Sequence, residues 1–288
     1  LVAIGGGSVL DVAKVANCVA FTGGTVATVL TQGDVRGRLA PCFVAIPTTA
    51  GTGSEITSFA TIWDTTRKRK LSLDTPYNRS SVAIVDPALT LSVPPHVTRQ
   101  CAADALGHAL ESLWSRRRTV LSEAYAMAAI DLIVPALPDV LVDPSSLDGR
   151  AALHRGALFA GLAIAISRTA AAHALSYGLT LHHGVPHGFA VAELLPGVCE
   201  VNLPALPPRI VGHLKRVFAA ERAPLSSALK AYLRRNELLP GLRSFGVTGE
   251  CVDDLLAAAQ VPERLRNNLV TLDAPAIRTI LANALVCE

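Results

Sequence analysis

The sequence predicts a two-part chain, an α/β sheet domain over residues 1–95 followed by an all-helical domain over residues 96–288. Three observations carry this. Up to Pro95, short β-branched runs alternate with glycine- and threonine-rich turns and one clear helix, as in an α/β sheet domain. Beyond Pro94-Pro95 the strand signals vanish, and apolar residues recur at helical spacing between Pro, Gly and Asp stops. Finally, 288 residues, 50% of them hydrophobic and 17% charged, can bury the core that one large domain or two ordinary ones require.

In chain order, the first element is the apolar run that opens LVAIGGGSVLDVAK, with no initiator Met and no signal-peptide charge pattern. It passes through Gly5-Gly6-Gly7-Ser8 into a helix starting near Val9. Bare backbone N–H groups and a helix N-terminus would then face whatever lies at the strand's end, and phosphate is the usual guest. Asp11 could cap or polarise that helix, or simply match its dipole. The second strand, FVAIP, leads into the loop IPTTAGTGSE. Here the hydroxyls of Thr48, Thr49, Thr52 and Ser54 join a backbone that glycine lets a ligand approach. Either loop alone could be a plain strand-to-helix turn, whereas two in one sheet domain point to a dinucleotide. The run Arg67-Lys68-Arg69-Lys70 reads as a solvated basic turn, and SVAIVD as a third strand.

The helical region contains TRQCAADALGHALESLWS, SEAYAMAAIDLIVPAL and PAIRTILANALVC, with PALPPRI near residue 204 as a loop between helices. There is no internal repeat and no low-complexity tract. The apolar run Gly156–Ser167, bounded by Arg155 and Arg168, is too short to cross a bilayer and predicts a buried helix, so no membrane segment is expected. A net charge of +3 and 5% aromatic residues argue against nucleic acid as a partner. Cys18, Cys42, Cys101, Cys199, Cys251 and Cys287 are scattered with no C-x-x-C pair, which predicts free thiols and a cytoplasmic location.

Four of the eight histidines crowd into HALSYGLTLHHGVPHG, residues 173–188. Asp104 and His108 sit at i and i+4 on the first helix of this region, so their side chains project from one face. His187 follows a turn made by Gly184 and Pro186, which would return it toward the helix carrying His173. One carboxylate and three imidazoles suit Fe(II), Zn or another first-row divalent ion. His96, His154 and His213, each isolated, are expected to be ordinary core or surface histidines.

The order GGGSVLDVAK, IPTTAGTGSE, VDPALTLSVP, DALGHALES and GVPHG, spanning nearly the whole chain, resembles the iron-containing (group III) alcohol dehydrogenase family, which includes lactaldehyde, butanol and maleylacetate reductases. The resemblance implies a dehydroquinate synthase-like architecture: a dinucleotide-binding α/β domain, incomplete here, then a helical domain, with metal and substrate in the cleft between. It implies metal ligands at Asp104, His108, His173 and His187, a pyrophosphate loop at Gly5, Gly6, Gly7 and Ser8, and a second cofactor loop at Thr48, Thr49 and Thr52. Lys70 falls where the family often has a lysine near the cofactor ribose. The implied activity is hydride transfer between NAD or NADP and a small aldehyde or primary alcohol, and the implied assembly is a homo-oligomer, commonly a dimer.

Two departures from the family's pattern matter. Many members have a histidine one turn after the third ligand, where this chain has Tyr177. Either Tyr177 works with a lowered pKa or another group moves the proton, with His183 the first candidate and His182 next. With GVPHG, the stretch around Tyr177 resembles the branch that reduces phosphonoacetaldehyde and related aldehydes. Moreover, a complete member would carry roughly ninety more residues before the glycine loop, about half of a typical domain. They would include the acidic residue that usually meets the adenosine ribose, so NAD and NADP are not distinguished. Alternatives are a maleylacetate reductase-like or glycerol dehydrogenase-like enzyme, and a truncated, non-catalytic remnant.

Overall fold

A computed structural model describes residues 1–32, 42–258 and 262–285. Strand β1 (Val2–Gly5) runs into helix α1 (Gly7–Thr22), which starts at Gly7, two residues before the expected Val9. A short α2 (Val26–Gln32), absent from the sequence reading, precedes β2 (Val44–Pro47). Next come β3 (Phe59–Asp64), β4 (Arg69–Asp74) and β5 (Val82–Ala83). Strands β1, β2 and β5 form a parallel sheet with β2 in the middle, in register Val2 to Val44 and Val44 to Val82. Strands β3 and β4 form a separate antiparallel hairpin that pairs Trp63 with Lys70.

Helix α1 holds these pieces together because it is apolar on two sides. Leu10 packs with Ala3, Phe43 and Ala45 against the sheet, while Val15 and Cys18 pack with Val29, Ala60 and Leu73 beneath the hairpin. Lys14, 1% exposed, lies between them and donates from Nζ to the Phe59 carbonyl at 2.8 Å. Side chains alternate along β1: Ala3 is buried, whereas Val2 and Ile4 are each 60% exposed.

From Pro95 the chain is mostly helical. Helix α3 (Pro95–Leu113) begins with Pro in its first turn, α4 (Val120–Val142) with a Thr119–Ser122 capping box, and α5 (Leu147–Ser167) with a Ser146 cap. Helices α6 (Ala171–His183) and α7 (His187–Asn202) follow, then α8 (Pro208–Val217), α9 (Leu225–Arg235), α10 (Val252–Ala258), α11 (Pro262–Asn267) and α12 (Ala274–Leu285). The predicted apolar run 156–167 is the second half of α5, with Ala157, Ala160, Ala163 and Ile164 buried. Helix α4, by contrast, is long and apolar enough to cross a membrane by length and composition. It packs along α3 and α5, with Ala126, Ala129, Ile130, Ile133 and Leu137 in the main core.

Cys18, Cys42, Cys101, Cys199 and Cys251 are free thiols, and Cys287 lies outside the described residues. His154 is a buried core histidine, His213 pairs with Asp131 at 3.4 Å, and His96 is exposed.

Candidate active site

A cavity of about 380 Å³ opens where the loops after β1 and β2, the β3–β4 hairpin and helices α3, α6, α7 and α11 meet. At one end lie Gly6, Gly7, Ser8, Thr49 and Thr52. The two loops are pressed together there, since a Cβ on Gly7 would fall 2.5 Å from the Thr52 side chain. Helix α1 carries no side-chain hydrogen bond at its N-cap, Gly6. Its first backbone N–H groups are therefore open to an anion. Gly5 and Thr48 stand behind this surface, with the Thr48 N–H donating to the Gly5 carbonyl at 3.0 Å and neither residue lining the cavity. They extend the β1–β2 ladder that sets the loops' spacing.

Asp11 lines the cavity without capping the helix, because it sits in the helix's second turn. Its carboxylate accepts from Ser54 Oγ at 2.6 Å and from the Thr61 N–H at 2.8 Å, stitching α1 to the second loop and to β3. The basic run divides in the hairpin. Arg67 and Arg69 turn outward to Asp64, whereas Lys70 turns inward, its Nζ 3.8 Å from the Tyr177 ring centroid. Burial, and the nearby Arg264 cation, hold the Lys70 pKa well below its usual value.

At the other end, three helices bring four ligand-type side chains together. His108 Nε2, His173 Nε2 and His187 Nε2 lie 3.6, 3.4 and 3.8 Å from Asp104 Oδ1. Around an ion with bonds of about 2.1 Å, tetrahedral vertices are about 3.4 Å apart, so this spacing fits a divalent metal. Asp104 Oδ1 and His173 Nε2 are buried with no hydrogen-bond partner in the protein, the state expected of metal-facing atoms. Ligand atoms of Asp104, His108 and His173 all lie within 4.8 Å of one another.

Local structure explains the convergence. One turn of α3 separates Asp104 from His108. Gly184, in a left-handed conformation, ends α6, and Pro186 leads directly into α7, so His187 returns to a ring-centroid distance of 5.4 Å from His173. The return needs Gly188, where a Cβ would fall 2.0 Å from the Gln100 carbonyl oxygen of α3.

Electrostatics suits cation binding. Burial favours protonation of Asp104, but His108, His173 and His187 outweigh it and hold the carboxyl well below its usual range. Burial drives His108 down to about 4 and His187 to about 3, leaving neutral imidazoles. Burial also works against a charge on His173, yet Glu111 and Asp104 prevail and raise its pKa. Glu111, 0% exposed, accepts from the Ala170 and Ala172 N–H groups at 2.7 and 2.5 Å and from His173 Nδ1 at 2.7 Å. It therefore caps α6 and orients His173 in one contact set. Sequence reasoning missed it, although residues 104, 108 and 111 form a polar stripe at helical spacing in an apolar helix.

Tyr177 lines the cavity with its hydroxyl unpartnered, its ring 6.0 Å from those of Trp63 and His187. Burial pushes its pKa up to about 12, so it stays protonated at neutral pH, away from the lowered value that one of the two sequence alternatives requires. The expectation for His183 is corrected. It does not line the cavity, standing at the end of α6 near His182 and Asp254, because six residues along the helix turn it away from the face of Tyr177. Trp63, Thr169 and Arg264 also line the site and carry no local sequence signal.

Comparison with known proteins places the chain in a family. Residues 1–87 match the family model for iron-containing alcohol dehydrogenase, and residues 98–285 match that for the C-terminal part of the Fe-containing alcohol dehydrogenase family. The chain is 37% identical to a phosphonoacetaldehyde reductase of Streptomyces viridochromogenes, over 97% of this chain and 74% of that protein. It is 32% identical to an NAD-dependent methanol dehydrogenase of Bacillus methanolicus, over 99% and 77%. Sulfoacetaldehyde reductase from Bifidobacterium kashiwanohense, solved in complex with NAD+, superimposes with a TM-score of 0.90 at 30% identity, over 99% of this chain and 75% of that one. This chain belongs to the iron-containing alcohol dehydrogenase family.

Proposed function

We propose that this protein transfers hydride between a nicotinamide dinucleotide and a small aldehyde or its primary alcohol, at a site that uses a divalent metal. The observation that carries the reading is one cavity joining an open helix N-terminus to four converging ligand atoms. Gly6, Gly7 and Ser8 would take the cofactor pyrophosphate on the backbone N–H groups of α1. Thr49 and Thr52, on the facing loop, would lie beside it, and Lys70 would be available to the rest of the cofactor in the same cavity. Asp104, His108, His173 and His187 would hold Fe(II), Zn or another first-row ion. When bound, such an ion supplies Lewis-acid polarisation of a carbonyl oxygen.

The chain's own residues do the rest. Glu111 holds the proton at His173 Nδ1, which leaves Nε2 to face Asp104. Tyr177, kept protonated, can donate a hydrogen bond to the developing alkoxide. Trp63 and Tyr177 place aromatic surface against His187, beside the ligand cluster. The phosphonoacetaldehyde and sulfoacetaldehyde reductases among its relatives support an aldehyde of phosphonoacetaldehyde type.

The test is oxidation of NADH and NADPH by purified, metal-supplemented protein with short aldehydes, beside His187→Ala. About one divalent ion per chain, lost in the variant together with at least a hundredfold of kcat/KM, is expected. Reduction that persists in a metal-free variant would end the metal-dependent reading.

A further inference from the structure

Arg264 lines the cavity near Tyr177 with no counter-charge among the described residues. It projects from α11, a helix held by Asn267, whose Nδ2 donates to the Ser167 and Thr169 carbonyls at 2.9 Å each. Its guanidinium donates to Thr169 Oγ1 and lies 5.7 Å from the Tyr177 ring centroid. Among the described residues no carboxylate forms an ion pair with Arg264 or Lys70, although both line the cavity and both lie over the Tyr177 ring, 5.7 and 3.8 Å from its centroid. The carboxylates that also line it are already engaged, Asp11 by Ser54 and Thr61 and Asp104 by the imidazoles. A guanidinium held in a partly desolvated site with no carboxylate beside it raises the free energy of the empty cavity, and an anion beside it lowers it. The cofactor pyrophosphate has its own donors on α1, and α11 packs instead on α6, the helix of His173 and Tyr177.

We propose that Arg264, fixed by Thr169, is the specificity-determining residue that grips a phosphonate or sulfonate at the far end of a short aldehyde, with the Lys70 amine a further N–H donor in the same cavity. The planar guanidinium can offer two parallel N–H donors to a tetrahedral oxyanion while the carbonyl end points to the imidazole cluster. The idea rests on the aldehyde-reductase reading.

The experiment compares kcat/KM for phosphonoacetaldehyde and sulfoacetaldehyde with that for propanal in wild type, Arg264→Met and Arg264→Lys. It also measures binding of phosphonoacetate, which cannot be reduced at this site, by isothermal titration calorimetry. The ratio of anionic to neutral kcat/KM should fall about a hundredfold in Arg264→Met, chiefly through KM, with phosphonoacetate binding weakened alike. Arg264→Lys, which keeps the charge but loses the fork, should show a smaller fall in the same ratio. If Arg264→Met does not fold, the Lys variant decides, and an unchanged ratio there overturns the proposal. So does a loss shared equally by propanal, which would make Arg264 a general support of the site. Binding of phosphonoacetate that depends on Arg264 in a protein that reduces no aldehyde would sink the reductase reading and keep the anion site. Reduction with no Arg264 dependence would do the reverse.

Discussion

Glu111 shows how much one buried carboxylate can control. It is fully enclosed, and it spends its oxygens on two N–H groups at the start of α6 and on His173 Nδ1. Glu111→Gln keeps the volume but places an amide where an acceptor is needed, so at least one donor is left facing another donor. Outer partners of metal-ligating histidines typically contribute ten- to a hundredfold in metal affinity. A loss of that size is expected in Glu111→Gln, read by competition with a chelator of known affinity, while the far-ultraviolet circular dichroism stays that of the wild type. An unchanged affinity would show that His173 is oriented by packing alone.

Among the elements, the approach of α7 to α3 depends on one missing methyl group. Any side chain at position 188 would run into the Gln100 carbonyl, so α7 would have to withdraw from α3 and take His187 with it. Overpacking of this kind costs about 1–3 kcal/mol or more. Gly188→Ala should therefore lower the melting temperature by several degrees and weaken metal binding together, whereas Gly212→Ala, at a glycine with open space around it, should do neither. Metal affinity that survives intact in Gly188→Ala would mean His187 is not positioned by that contact.

The same elements show which parts of the site could be read before folding. Asp104 with His108, and the glycines ahead of α1, are local patterns: a helix turn and a strand-loop-helix junction put neighbours in sequence beside each other in space. The Gly184–Pro186 turn is local as well, and it carries His187 back to His173. Lys70 was ambiguous because a basic run looks the same on a turn and in a hairpin. Only the antiparallel pairing of Trp63 with Lys70 sends one cation inward. Arg264 and Thr169 were illegible for a different reason, since they meet across 95 residues of chain through tertiary packing. His183 misled because chemical type was weighed without helix phase.

For the whole molecule, Lys14 sits where the sheet-bound helix meets the hairpin, and its ionisation reports on folding of both. Burial lowers its pKa from 10.5 to about 8, with Asp11 and Glu55 opposing the shift. The unfolded chain therefore binds more protons than the folded one between about pH 8 and 10.5, and stability must rise with pH across that window. Below about pH 8 both states carry the proton, and the fold bears the full penalty of the buried charge. The difference amounts to about 3 kcal/mol at one pKa unit per 1.4 kcal/mol. Other groups titrating in the range do so in a Lys14→Met variant too, so the comparison isolates this one. Urea unfolding of both proteins from about pH 7 to 10.5 should show the free-energy gap moving by about 3 kcal/mol in favour of the wild type. A flat gap would mean that Lys14 keeps its proton throughout, its ammonium held by Asp11 and the Phe59 carbonyl strongly enough to cancel burial.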